Sequence, residues 1–169
     1  MKRTKWFNRI FLPIEDTGVM PSIIERLDGT PVRLKYKLKK SNSDLASHEE
    51  GKWSIKKQVG HLIDLEPLWY KRMQQIMNGE SDLEKADLTN RKTHETDYDS
   101  QNAENLIERF AEERQKLINL LKKIDDLDVD KAAIHPRLGT PMKLIDLAFF
   151  VAEHDDHHLA QMTLEIDGG

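Results

Sequence analysis

The sequence predicts an all-α protein, a four-helix bundle with long connecting loops. Three observations predict it. Apolar residues recur at spacings of three and four in four long segments. No segment shows the period-two alternation of a half-buried strand, and there is no internal repeat. Cap and stop signals (Ser54, Asn78-Gly79, Thr140-Pro141) fall between the periodic segments. At 169 residues the chain reads as a single domain, 1–169, long enough to bury a core.

Residues 1–19 mix Lys2, Arg3, Lys5 and Arg9 with Trp6, Phe7, Ile10, Phe11 and Leu12. They read as an N-terminal arm packed on the bundle; the apolar run is short for a membrane-surface helix. The first helix covers 20–40, with Ile24, Leu27, Leu34 and Leu38 in its stripe. Pro31 must kink or split it. Its basic residues, Arg33 to Lys40, read as a solvated face. A polar connection, 41–52, leads to Trp53 and to Ser54 as N-cap of the second helix. Ile55, Val59, Leu62, Glu66, Trp69, Met73 and Ile76 form one stripe, and His61, Leu65, Leu68 and Arg72 a neighbouring one. Pro67 is expected to bend this helix. Residues 79–101 read as a long structureless loop, either a lid over a site or a surface excursion. Asp99-Ser100 is expected to cap the third helix, whose stripe is Leu106, Phe110, Leu117, Leu121 and Ile124. His135 to Gly139 reads as a turn. Thr140-Pro141 is expected to start the last helix, which runs through Ile166.

Composition narrows the function classes. Charged residues make up 33%, the net charge is −4 and mean hydropathy is −0.67. The acidic balance argues against nucleic-acid binding. With no cysteine, disulfides, thiolate metal sites and a cysteine nucleophile are excluded. No apolar run approaches the roughly 18 residues of a membrane span, and no secretory pattern follows the N-terminus. A cytoplasmic location and a small-molecule partner, with no membrane or nucleic acid, are the expectation.

The seven histidines carry the chemistry. His154 and His158 lie four residues apart, on one helical face, where two imidazoles can reach one metal ion. His61, on another amphipathic helix, is the best third candidate. His157 reads as a partner of these residues, a substrate contact or a surface residue; His48, His94 and His135 read as solvated loop residues. His154-Asp155-x-x-His158 has zinc-protease spacing, but Asp is a short substitute for the Glu base, and little chain remains for a third ligand. A di-iron carboxylate site fails, because no Glu has a His three residues later.

Three stretches together resemble the DinB/YfiT-like superfamily of metalloenzymes. They are Trp53-Ser54 leading into Gly60-His61-Leu62-Ile63-Asp64-Leu65-Glu66, then His135-Pro136-Arg137-Leu138-Gly139, then Ala152-Glu153-His154-Asp155-Asp156-His157-His158-Leu159-Ala160-Gln161. The likeness covers nearly the whole chain, including Arg26-Leu27-Asp28-Gly29-Thr30-Pro31. It implies a four-helix bundle, often a homodimer, holding a divalent metal through His61, His154 and His158. Nickel or zinc is favoured; manganese and iron are compatible. The activities it implies are thiol-dependent S-transfer or isomerisation, with a low-molecular-weight thiol such as bacillithiol, mycothiol or glutathione, and metal-dependent hydrolysis.

Three neutral imidazoles leave positions open on an ion, the pattern of a catalytic site. Such an ion can activate water or hold an external thiol as thiolate. Asp64 and Asp155 are the candidate catalytic carboxylates, as orienters of a ligand imidazole or as a base. Arg72 and Arg114 are candidate holders of an anionic substrate, with surface ion pairs as the default alternative. The competing class is a non-catalytic metal-binding or structural bundle. A cavity beside the histidines favours the enzyme; a closed, packed site favours the bundle.

Overall fold

The structure, a computed structural model, describes residues 4–41, 44–48 and 50–167. Lys2 and Arg3 of the arm, residues 42, 43 and 49 of the first connection, and Gly168-Gly169 lie outside the described residues. The long helices are α1 (Met20–Asp28) with α2 (Thr30–Lys40), α3 (Ile55–Met77), α5 (Ala103–Leu121) and α7 (Leu144–Asp167); α4 (Arg91–Glu95) and α6 (Asp126–Val129) are short. The α1–α2 arm and α3 each pack against both α5 and α7. The first two arms therefore stand diagonally across the bundle, as do the last two. Diagonal arms cannot be joined by tight hairpins, which accounts for the length of connections 41–54 and 122–143; the connection between α3 and α5 joins neighbours.

The break in the first arm lies at Gly29, and Pro31 falls in the first turn of α2. There its missing N–H leaves no helical bond unmade. The carbonyl four residues earlier, Leu27, accepts instead from Arg114 Nη1 at 3.1 Å. In α3, Ser54 caps as expected, its Oγ accepting from Lys57 N at 3.0 Å. The helix runs unbroken through Pro67. All seven residues of its predicted stripe are buried.

Four local expectations are corrected. Residues 79–101 are not structureless: α4 forms, Leu83, Thr93 and Tyr98 are buried, and Leu83 N donates to Ile134 O. Their apolar residues are too few and too widely spaced to show a period. The third helix is capped by Asn102, which accepts from Asn105 N, while Asp99 takes the Ser54 hydroxyl. Two strands exist, β1 (Ala132–Ile134) and β2 (Pro141–Lys143), paired antiparallel around the His135–Thr140 turn. So Thr140-Pro141 closes a hairpin, and α7 begins at Leu144. Three-residue strands are too short to show alternation. Finally, His135 is buried rather than solvated.

The core is two apolar clusters. One gathers α1 with the second half of α3, the end of α5 and the start of α7; the other gathers α2 with the first half of α3, the start of α5 and the end of α7. Between them lies a buried polar layer, with Thr30, Glu66, Arg114 and Asp155 contributed by α2, α3, α5 and α7 in turn. Arg114 Nη2 donates to Glu66 at 2.6 Å and Arg114 Nη1 to Asp155 at 2.5 Å; Thr30 Oγ1 donates to Asp155 at 2.8 Å. Burial alone would pull the guanidinium's pKa down; the two carboxylates outweigh it and hold Arg114 charged. Among the described residues, no helix is long and apolar enough to cross a membrane.

Candidate metal centre

Beside the polar layer along α7, the chain brings three imidazoles together. Helical spacing stacks His154 and His158 with ring centroids 4.7 Å apart, and α3 places His61 at 5.4 and 5.0 Å from them. Each ring offers a nitrogen within 4.8 Å of the other two, and no other such group of His, Asp and Glu exists among the described residues. His61 and His154 are buried. Burial presses the pKa of His61 down to about 4 against the opposing pull of Asp64, and burial with the neighbouring His61 and His157 imidazoles holds that of His154 well below its ordinary value. Both are therefore neutral near pH 7 and present lone pairs.

Two of the three rings are held from behind. Thr93 Oγ1 donates to Asp64 at 2.8 Å, so its lone pair faces His61 Nδ1 at 3.3 Å. Gln58 donates its amide to Glu165 at 2.9 Å and turns its carbonyl oxygen to His158 Nδ1 at 3.4 Å. Both contacts put the ring proton on Nδ1 and leave Nε2 as the donor atom. His154 Nδ1 is buried without a hydrogen-bond partner among the described residues. A cluster of neutral imidazoles, two fixed in one tautomer and one with an orphaned nitrogen, fits a divalent ion held through nitrogen.

The cluster opens into a pocket of about 500 Å³. Its walls are aromatic: Trp6 from the arm sits edge-on to His154 at 5.0 Å, Trp53 lies 4.8 Å from His61, and Trp69 lies 5.8 Å from His154. Residues 85–88 and 90 form one side, so part of the long connection does border the site.

The other sequence candidates separate. Asp64 sits behind His61 and accepts from Thr93, Tyr98 Oη at 2.7 Å and Lys92 Nζ at 2.9 Å. With both oxygens occupied, it is placed to orient rather than to abstract protons. Gly60 makes this possible: a Cβ there would lie 2.4 Å from the Tyr98 ring. Asp155 and Arg114 are fully buried in the polar layer and do not line the pocket. They bind each other because helical rotation turns Asp155 away from the His154 face. Arg72 and His157 do line it. The sequence reading missed Thr93, Gln58, His135 and Arg137. Only the His135 to Gly139 motif carried a signal for any of them.

Comparison with known proteins agrees in fold. The DinB superfamily model matches residues 22–162. Among solved structures, YfiT from Bacillus subtilis, described as a probable metal-dependent hydrolase with an unusual four-helix bundle topology, superposes with a TM-score of 0.76. It shares 21% identity, over 90% of each chain. At that identity the likeness is one of fold. No curated protein matches the chain.

Proposed function

The chain belongs to the DinB superfamily, and from that premise we propose that it is a divalent-metal-dependent enzyme that hydrolyses a small molecule. The observation that carries this reading is the opening of His61, His154 and His158 onto a cavity of about 500 Å³. A purely structural centre would be closed and packed. The description of YfiT as a probable metal-dependent hydrolase supports hydrolysis over the other reactions of the family.

His61, His154 and His158 would hold the ion, which when bound supplies a Lewis acid and lowers the pKa of water. The chain's own residues do the rest. Thr93 with Asp64, and Gln58 with Glu165, fix two of the imidazoles. Trp6, Trp53 and Trp69 wall the pocket. His157 lies beside His158, rings 5.5 Å apart, where it can contact substrate.

Thr93→Val keeps the side chain's shape and removes the hydroxyl between His61 and Asp64. Metal affinity is expected to fall about 10–100-fold, the usual effect of losing an outer hydrogen-bond partner. Competition with a chromophoric chelator measures it. The reaction is tested by assaying the metal-loaded protein, with zinc, nickel or manganese, against ester, amide and phosphoester panels with and without an added thiol. Turnover that needs metal and no thiol supports the proposal. Turnover only with glutathione or bacillithiol assigns thiol transfer instead, and no turnover with any metal favours a non-catalytic centre.

A further inference from the structure

We propose that the wall of this pocket formed by Arg137, Arg72 and His135 is an oxyanion subsite, and that the substrate carries a carboxylate or phosphate seated there while its reacting group lies at the three histidines. The inference rests on the reading of the pocket as a substrate site and names the class of substrate.

Arg72 is buried, yet no carboxylate among the described residues forms an ion pair with it, that of Glu84 acting on it only from a distance. Its Nε and Nη2 donate to the backbone carbonyl of Glu84 at 2.8 and 2.6 Å, while the Glu84 carboxylate binds Lys71 at 2.8 Å. Asp87, the acid lining the same pocket, is taken up by the Thr89 hydroxyl and by the backbone N–H groups of Thr89 and Arg91. Arg137 is held by stacking on Phe7, 5.4 Å from the ring, and its Nη2 is buried without a hydrogen-bond partner. Two guanidinium groups thus share one wall with no anion between them. A buried unpaired charge is costly, and a bound carboxylate or phosphate removes that cost.

His135 adds a directional argument. Its Nδ1 accepts from the backbone N–H groups of Arg137 and Leu138, each at 3.3 Å. A neutral imidazole has one N–H, so that proton sits on Nε2. Nε2 lies 3.3 Å from Arg72 Nη1. In that tautomer both groups are donors 3.3 Å apart, and an anion's oxygen beside them can accept from both. The Trp69 ring spans the distance to the histidines, 5.5 Å from Arg72 Cζ and 5.8 Å from His154. A single small molecule reaches both ends.

All three tryptophans of the chain line the pocket, so intrinsic fluorescence reads its occupancy. The probes are cyclohexanecarboxylate, cyclohexyl phosphate and the neutral cyclohexanecarboxamide, titrated into metal-loaded and metal-stripped protein. At least one anion is expected to bind both forms, about tenfold or more tighter than the carboxamide. The tighter anion identifies the headgroup. Arg137→Gln is expected to weaken it about tenfold with metal content unchanged, and Arg137→Lys to restore part. Equal binding of anion and carboxamide, no anion binding, or full binding by Arg137→Gln overturns the subsite. Binding that requires metal and survives Arg137→Gln also overturns it, by placing the anion at the histidines. If the parent instead holds no metal but binds anions through Arg137, the enzyme reading fails and the subsite stands.

Discussion

Arg114→Leu is expected to destabilise the fold by about 3–5 kcal/mol, the usual loss when one member of a buried ion-pair network is removed. Glu66 and Asp155 both depend on this guanidinium and neither reaches solvent. The Leu27 carbonyl, left without a helical donor by Pro31, loses its partner as well. Against a total of about 5–15 kcal/mol for a typical domain, the loss is large. Urea unfolding measures it. Replacing Arg114, Glu66 and Asp155 together by leucine is expected to recover much of the deficit, because no unpaired charge then remains in the core. A shift below about 1 kcal/mol in Arg114→Leu would mean that water or another group reaches these carboxylates.

His154→Ala is expected to abolish tight metal binding while leaving the metal-free fold close to parental stability. The imidazole it removes has a buried nitrogen without a partner, so the lost packing is offset by relief of a desolvation cost. The contrast appears on adding metal. At a free concentration of about one hundred times its Kd, an ion that binds only the native state stabilises the parent by about 2.7 kcal/mol. The variant is expected to gain almost nothing. Thermal unfolding of both proteins with and without zinc measures the difference, and an equal gain in both would remove His154 from the centre.

The sequence made the long helices legible wherever periodicity was dense. The seven-residue stripe of α3 is buried throughout, and the i, i+4 pair on α7 did place two imidazoles on one face. What stayed hidden depended on contacts distant in sequence. Thr93 lies 32 residues from His61, in a stretch without periodicity, and its role depends on Asp64 and on Tyr98 fitting over Gly60. Arg114 read as a holder of an anionic substrate or a surface ion pair, because nothing local says that three other helices bring it acids and a carbonyl. His135 looked like a loop residue because β1 and β2 are too short to announce the hairpin that buries it.

The proposed function stands on the binding of one divalent ion by His61, His154 and His158. It is tested most directly by elemental analysis of the purified, untagged protein beside a His61→Ala/His158→Ala variant. About one equivalent of metal in the parent and none in the variant is the predicted result. A parent that stays metal-free after incubation with zinc, nickel or manganese, or a variant that still retains a full equivalent, would contradict it.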